Sequence, residues 1–178
     1  MDFVEFVKIA RLSRPCVITE KIDGTNGVIF NGDDGEFLIG SRRRWIIPED
    51  DNFGFARWAT EHKTELQALG PGWHHGEWWG AGIQRRYGLQ GKRWSLFNTS
   101  KWNETTPPPS CCHVVPVLYS GIFTTDAVVM ALDGLAVVGS KAAPGFMQPE
   151  GVVIYHVAAN MYFKKTLLKD DEWKGKST

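Results

Sequence analysis

A lysine stands two residues before an Asp-Gly pair in the segment Glu20-Lys21-Ile22-Asp23-Gly24. Apolar runs at 16–19 and 27–30 flank it and predict two strands that pair with each other, with the lysine at a strand end. A lysine amine held in a pocket is a usable nucleophile, and Asp-Gly permits a tight turn that phosphate or metal can approach. Alone, this pattern is more typical of a hairpin turn with a solvated lysine, so other residues must decide.

Other residues that could take part in binding or catalysis follow further along the chain. They are Glu77 in the segment 76–84, Phe97 in the aromatic run 94–98, Glu150 ahead of the apolar run 151–154, and Lys164-Lys165 in the segment 161–166. Both glutamates could be surface carboxylates of strands. Each, however, lies beside a glycine within apolar sequence, which argues against simple solvation.

In this order the segments resemble the motifs of the covalent nucleotidyltransferases, the superfamily of polynucleotide ligases and mRNA capping enzymes. Those motifs are Lys-x-Asp-Gly, a Ser-Arg pair (here Ser41-Arg42), Gly-Glu, an aromatic strand, Glu-Gly-Val-Val and a lysine strand. The strings at 20–26 and 76–84 are most similar to type 2 RNA ligases of the phage and kinetoplastid-editing branch. The resemblance covers about residues 16 to 168, nearly the whole chain.

The resemblance implies a role for each matching residue. Lys21 would attack the α-phosphorus of ATP, forming a lysine–AMP phosphoramidate and releasing pyrophosphate. The other catalytic residues implied are Asp23, Lys164 and Lys165. The residues implied to bind ATP are Glu20, Asn26, Arg42, Glu77 and Phe97. Glu150 would hold Mg²⁺ or Mn²⁺, for which a hard carboxylate oxygen is a suitable ligand.

Within the implied ATP site, Glu77 would accept hydrogen bonds from the ribose hydroxyls and Phe97 would stack on the adenine. Arg42 would hold phosphate. Phe97 could equally be packed in the core, where such a side chain more often lies. At most one of the neighbouring residues His74 and His75 is expected to have a role, and that role is structural lining, because neither falls in a motif.

Two departures from the family pattern affect these expectations. The family's last motif has lysines at i and i+2, which share one face of a strand. Here Lys164 and Lys165 are adjacent, so only one can face the pocket, and we expect Lys164. The aromatic strand ends Phe97-Asn98 instead of Phe-Asp, which removes one carboxylate.

The fold implied by the resemblance is α+β: a nucleotidyltransferase (adenylation) domain of antiparallel sheets with flanking helices, ATP-grasp-like. We expect residues 1–178 to form this single catalytic domain, without a C-terminal accessory domain. The hydrophobic pattern predicts helices at 4–12, at 53–69 and from Thr124. It predicts strands at 16–22, 26–31, 36–41, 73–78, 93–98, 113–119, 151–157 and 161–167.

Composition limits the partners. Twenty Lys and Arg balance twenty Asp and Glu, so a strongly basic binding surface is not expected, although basic groups at 42–44, 85–86 and 92–93 could line a groove. Aromatics beside these arginines could stack on bases, but most of the eight tryptophans are expected in the core. No apolar run reaches the ~20 residues that span a bilayer. Three cysteines show neither disulfide nor zinc spacing. We expect a cytoplasmic, monomeric protein of prokaryotic or phage origin.

The favoured function is an ATP-dependent polynucleotide ligase that joins 3′-hydroxyl and 5′-phosphate ends, with RNA preferred on the 3′-hydroxyl side. Its expected partners are RNA or RNA/DNA ends, including nicked duplex. The alternatives are a guanylyltransferase of the mRNA-capping type, which shares the lysine chemistry but uses GTP, and a DNA-specific nick ligase. A non-enzymatic nucleic-acid binder is disfavoured, because every residue type that the chemistry needs is present.

Overall fold

The computed structural model of the protein describes residues 1–168, which build two β-sheets with short helices on their outer faces. In chain order the elements are β1 (Pro15–Lys21), β2 (Thr25–Asn31), β3 (Phe37–Gly40), α1 (Phe55–Glu61), α2 (Lys63–Gln67), β4 (Gly72–Gly80), β5 (Lys92–Leu96), β6 (Cys112–Val114), β7 (Val117–Ile122), α3 (Thr125–Val138), β8 (Gly151–His156), a 3₁₀ turn (Val157–Ala159) and β9 (Met161–Thr166).

The strands divide into a four-stranded sheet, ordered β7-β1-β8-β9, and a five-stranded sheet, ordered β3-β2-β4-β5-β6. Neighbouring strands are antiparallel except β5 and β6, which run parallel. β1 and β2 do not pair with each other, so the predicted hairpin is wrong. The chain instead crosses from one sheet to the other at residues 22–24, which puts the Lys-x-Asp-Gly segment at the junction.

Each sheet buries one face against its own helices. The five-stranded sheet packs on α1 and α2 through a core rich in aromatic rings, among them Phe55, Trp78 and Trp94. The four-stranded sheet packs on α3 through a smaller aliphatic core that includes Ile18 and Leu132. Because side chains alternate along a strand, the residues between these core positions point to the opposite face of each sheet. We call that opposite face the inner face of the sheet.

α3, with 14 residues, begins as the sequence predicts. The hydroxyl of Thr124 accepts a hydrogen bond from the backbone N–H of Ala127 at 3.1 Å, and Asp126 lies in the first turn. Both features stabilise a helix N-terminus. Among residues 1–168, neither α3 nor any shorter helix is long and apolar enough to cross a membrane.

Three predicted elements differ from the structure. Residues 1–11 are exposed and form no helix, because their apolar side chains have no surface to pack on and an isolated helix of this length is marginal. The helix predicted at 53–69 is two helices that meet at His62. The strand predicted at 113–119 is divided between the sheets as β6 and β7, with Pro116, which has no N–H to donate, between them.

Candidate active site

The amine of Lys21 and the carboxylate of Glu150 meet at the junction of β1 and β8. Lys21 is the last residue of β1 and pairs with Gly151, so Glu150 comes just before the neighbouring strand. Lys21 Nζ donates to Glu150 Oε2 at 2.6 Å, and the two side chains are 23% and 17% exposed. The structure thus joins two residues 129 positions apart into a half-buried ion pair.

Glu77 holds the Lys-x-Asp-Gly turn against β4. Its Oε1 accepts a hydrogen bond from the backbone N–H of Gly24, and its Oε2 accepts one from the side-chain amide of Asn26, both at 3.0 Å. The side chain is only 9% exposed. Burial raises the pKa of Glu77 to about 7, against the opposing effects of Lys21 and of the Gly24 N–H. Glu77 is therefore both a structural anchor and a polar group at the inner face.

Gly24 is required by a close approach. A Cβ at this position would collide with the carbonyl oxygen of Trp78 and with the side chain of Trp79. The turn after Lys21 therefore lies directly on β4, which explains the Asp-Gly pair more specifically than the freedom of a tight turn does.

Asp23 is held by a loop whose residues the sequence did not assign to the site. Arg85 Nε donates to Asp23 Oδ2 at 3.0 Å, and the backbone N–H of Asp23 donates to the hydroxyl of Tyr87 at 2.8 Å. Arg85 also donates to the carbonyl of Gln148 at 3.1 Å, two residues before Glu150. Arg85 had been expected only as part of a basic surface. The loop positions both sides of the Lys21–Glu150 pair.

The loop that carries these contacts has an unusual backbone. Gln84, Arg86 and Tyr87 have φ of 43°, 61° and 50°, a left-handed conformation that is uncommon outside glycine. Buried Ile83 and Tyr87 anchor the loop, and the Tyr87 ring packs on Trp79 at 4.9 Å between centroids. Strained backbone of this kind persists where surrounding packing holds it, often at functional sites.

Glu20 does not join the other predicted residues. It is fully buried on the α3 side of β1, the opposite face from Lys21. Its carboxylate accepts hydrogen bonds from the Ser140 hydroxyl at 2.5 Å and from the backbone N–H groups of Lys141 and Ala142 at 2.8 and 2.9 Å. Its side chain orders the loop after α3 and supports β1 from behind. Its predicted role at ATP therefore has no side-chain geometry to support it.

The register of β9 separates the two adjacent lysines. Lys164 lies opposite Val153, which lies opposite Thr19, so Lys164 shares the inner face with Lys21. Lys165 lies opposite Val152, a fully buried residue of the α3-side core. The register thus places Lys164 on the face that the sequence analysis expected.

Phe97 lies on the inner face of the five-stranded sheet, and Arg42 lies in the turn after β3. The backbone N–H of Phe97 donates to the carbonyl of His75 at 3.0 Å, which continues the pairing of β4 and β5 and puts Phe97 on the Glu77 face, 37% exposed. Arg42 is exposed in the turn after β3, beside a cavity of about 360 Å³ that Thr25 also lines. Phe97 therefore has an accessible ring, and Arg42 an accessible charge.

Glu150 is the predicted metal ligand, and the structure limits how it could act. In the part of the chain that the structure describes, no three His, Cys, Asp or Glu side chains converge as a metal-binding group. Mg²⁺ commonly needs only one or two carboxylates when substrate phosphates complete its coordination. The donor set therefore fits a cation shared with a bound phosphate compound, and not one held by the protein alone.

The chain is similar to known proteins in its sequence profile and in its fold. The sequence profile of the RNA ligase family matches residues 14–169. No curated protein matches the chain in sequence.

Similar solved structures include mutants of Naegleria gruberi RNA ligase. An arginine-to-alanine mutant with ATP and Mn has 18% identity and a TM-score of 0.60, covering 87% of this chain and 50% of the other. A lysine-to-alanine mutant with ATP and Mn has 18% identity and a TM-score of 0.59, covering 86% and 50%. At this identity the likeness shows the fold, and the chain spans about half the length of these proteins. The family match extends over most of the chain, so the chain belongs to the RNA ligase family.

Proposed function

We propose that this chain is the catalytic domain of an ATP-dependent polynucleotide ligase. It joins 3′-hydroxyl and 5′-phosphate ends through a lysyl-AMP intermediate on Lys21, with RNA preferred on the 3′-hydroxyl side. The observation that carries the proposal is the contact of 2.6 Å between Lys21 Nζ and Glu150 Oε2, at a sheet junction that Glu77 also reaches. A nucleophile, an exchangeable carboxylate and a polar anchor thus meet at one place.

In the first step, the Lys21 amine attacks the α-phosphorus of ATP. The N–P bond forms, the bond from the α-phosphorus to the bridging oxygen breaks, and pyrophosphate leaves. The Lys21 ammonium must first leave its contact with Glu150 and release its proton to water, which yields the free amine. That exchange frees the Glu150 carboxylate. A divalent cation bound there would neutralise charge on the phosphates.

Nucleotide recognition is assigned to the five-stranded sheet. Each oxygen of Glu77 accepts one hydrogen bond within the protein and retains a second lone pair, which suits ribose hydroxyls. The exposed ring of Phe97 lies on the same face and offers a stacking surface for adenine. Solved structures of N. gruberi RNA ligase with ATP and Mn, and with AMP and Mn, support this choice of ligand.

The later steps pass the adenylate to a 5′-phosphate and then displace AMP with a 3′-hydroxyl. Both are in-line attacks at phosphorus, in which positioning and charge neutralisation matter most. Lys164, on the Lys21 face of β9, supplies positive charge. Asp23, fixed by Arg85, orients the end that reacts.

The test is transfer of label from [α-³²P]ATP to the protein. We expect a labelled adduct with Mg²⁺ that is lost on mild acid treatment, as a phosphoramidate is, and that is absent in Lys21→Ala. Lys8→Ala, which removes an exposed lysine of the N-terminal segment, is the matched control and should be labelled normally. An intact adduct in Lys21→Ala would refute the assignment.

The same preparation separates the alternatives. Labelling by GTP in preference to ATP would indicate a guanylyltransferase of the capping type. Sealing assayed over the four RNA and DNA strand combinations tests the preference for RNA on the 3′-hydroxyl side. Sealing of DNA strands alone would instead indicate a DNA-specific ligase.

A further inference from the structure

Three rings form a nearly parallel row on the inner face of the five-stranded sheet. We call Trp45, Trp73 and His75 the aromatic ladder. The centroids of Trp45 and Trp73 are 5.4 Å apart with planes inclined by 21°, and those of Trp73 and His75 are 6.2 Å apart with planes inclined by 11°. Trp45 and Trp73 remain 47% and 58% exposed. These two large indoles are thus already arranged as a stack while much of their surface contacts water.

The ladder is continuous with the candidate active site. Trp73, His75 and Glu77 alternate along β4, so all three share its inner face. Phe97 lies directly opposite His75 in the continued β4–β5 pairing. A chain of accessible rings therefore leads away from the proposed nucleotide site along one surface.

A glycine makes room for the outermost ring. Trp45 follows the turn after β3 and bridges back to Gly40. A Cβ on Gly40 would lie 3.2 Å from Cε3 of Trp45, so a larger residue would push the indole away from the sheet. The absence of a side chain at 40 lets Trp45 lie across the sheet and reach Trp73. The position of Trp45 is therefore built into the fold.

The exposed rings are not needed to fill a core. Trp78 and Trp94, on the other face of the same sheet, are buried with Phe55. His74 shows the same division, since it is buried on that side with Nε2 2.8 Å from the carbonyl oxygen of Gly70. The two faces of β4 thus carry aromatic rings for different purposes. Contiguous exposed rings of this kind mark a binding surface.

Positively charged side chains precede the ladder in sequence and line a cavity with Thr25 and Asn52. Arg42 and Arg43 are exposed in the turn that leads into Trp45, and neither makes an ion pair with a carboxylate of residues 1–168. Arg44 fixes the turn instead, with Nη2 2.9 Å from Asp50 Oδ1. Aromatic rings beside unpaired arginines match a ligand with flat bases on a phosphate backbone.

We propose that the aromatic ladder binds the unpaired bases of a single-stranded polynucleotide next to the joint, with Arg42 and Arg43 on its phosphates. Bases in a duplex already stack on their neighbours, so only an unpaired strand can offer its faces to protein rings. The protein therefore joins single-stranded ends in preference to nicks in a duplex. This inference rests on the proposed ligase function and adds the class of substrate to it.

The test compares binding and sealing of two substrates of the same sequence: a single-stranded oligoribonucleotide pair and a nicked duplex. Trp73→Ala and Trp45→Ala should each weaken binding of the single strand by about tenfold, since stacking on an aromatic side chain contributes ~1–3 kcal/mol per base. Trp73→Phe should restore most of the binding. Phe3→Ala, which removes an exposed ring far from this surface in sequence, should behave as wild type.

Self-adenylylation separates this inference from the proposed function. If the wild type forms no AMP adduct, the ligase proposal fails irrespective of the ladder. With adenylylation intact in every variant, selective loss of single-strand binding and sealing supports the ladder. Unchanged single-strand binding in Trp73→Ala and Trp45→Ala, or stronger binding of the nicked duplex by the wild type, overturns it.

Discussion

The inner faces of the two sheets hold their polar side chains in different ways. On the five-stranded sheet, both carboxylate oxygens of Glu77 are hydrogen-bonded to the turn at Gly24 and Asn26. On the four-stranded sheet, Lys21 and Glu150 share one contact and are more exposed. The first arrangement is complete without a ligand, whereas the proposed reaction requires the second to open. The Glu77 side chain is therefore held in place by the fold itself, whereas the Lys21–Glu150 pair is held by a single contact.

The cores behind the two faces support this difference. Beneath Glu77, Phe55 packs on Trp78 and Trp94 with ring centroids 5.5 Å apart in each case, and a Cβ on Gly76 would lie 2.6 Å from Trp94 Nε1. Such close packing leaves β4 little freedom. Behind Lys21, the aliphatic core of α3 and the buried Glu20 fix β1 but not the Lys21 side chain. Packing therefore constrains the Lys21 side chain less than the backbone of β1 that carries it.

The largest effect should come from truncating the two glutamates. Glu77→Ala and Glu150→Ala should each lower sealing by roughly 10²–10³-fold, the usual loss when a charged transition-state contact is removed. The two variants should differ in their free energy of unfolding. Glu77→Ala leaves the Gly24 N–H and the Asn26 amide without a partner, at a cost of ~1–3 kcal/mol, while Glu150→Ala releases Lys21, whose side chain is more exposed than that of Glu77. Thermal unfolding measured beside activity checks both.

The control for these variants is Glu104→Ala, which removes an exposed carboxylate and should change neither property. A drop in melting temperature in Glu150→Ala as large as that in Glu77→Ala would contradict the distinction between the two faces.

The next effect is the pH dependence of stability that Glu77 confers. Its pKa is raised from 4.5 to about 7, chiefly by burial, so the folded state holds this proton more tightly than the unfolded state. The contribution to stability is therefore fully present below pH 4.5 and is lost as pH rises through 7. At 1.36 kcal/mol per pKa unit it is on the order of 3 kcal/mol. Chemical denaturation between pH 4.5 and 7.5 measures it.

The Gln variant isolates this contribution, because other groups also titrate in the range. Glu77→Gln keeps the shape of the side chain but cannot ionise. Its stability should fall less than that of the wild type between pH 4.5 and 7.5, and the difference between the two curves is the effect of Glu77. Parallel curves would show that Glu77 does not have the raised pKa.

A smaller effect should distinguish the two lysines of β9. Lys164 shares the inner face with Lys21, while Lys165 lies on the opposite face. Lys164→Ala should slow self-adenylylation by roughly 30-fold, equivalent to ~2 kcal/mol for a charged hydrogen bond to phosphate. Lys165→Ala should slow it only a few-fold. The measurement is the single-turnover rate of adduct formation in each variant. A larger effect of Lys165→Ala than of Lys164→Ala would show that Lys165 is the residue that acts at the phosphate.

Alternation along strands is what the sequence could predict about the site. It led to the prediction that Lys164, and not Lys165, faces the pocket, and the register of β9 puts Lys164 on the face of Lys21. The order of motifs singled out Lys21, Glu77 and Glu150, whose roles stay predictions. The prediction about the two lysines rests on a period of two that the local chain dictates. The α+β fold with helices on the outer faces follows from the same patterns.

Contacts over long sequence distances could not be predicted in this way. Arg85 reaches Asp23 across 62 positions, from a loop whose left-handed residues follow no period. The N-terminal helix failed for a related reason, since a helical pattern at 4–12 needs a packing surface and the fold provides none. Pro116 divided a continuous apolar run between two sheets. In each case tertiary structure, and not local pattern, decided.

The smallest expected effect is a difference in salt dependence between the two faces. Of the basic residues expected to hold nucleic acid, Arg44 and Arg85 are committed to Asp50 and Asp23. Lys92 donates to the carbonyl of Phe53 and Arg93 to that of Ala142. Those arginines still free for a substrate strand lie at 42, 43 and 86.

With ~2–3 phosphate contacts to a single strand, strand binding should fall by about tenfold between 50 and 200 mM salt. Self-adenylylation should change much less, because its charges are partly buried and therefore less screened. Both activities are measured on one preparation across that range. Arg43→Ala should reduce the salt slope for strand binding by about 0.7 and leave that for adenylylation unchanged. Equal slopes for the two activities would mean that the strand is not held by this small group of arginines, and that the division of labour between the two faces is wrong.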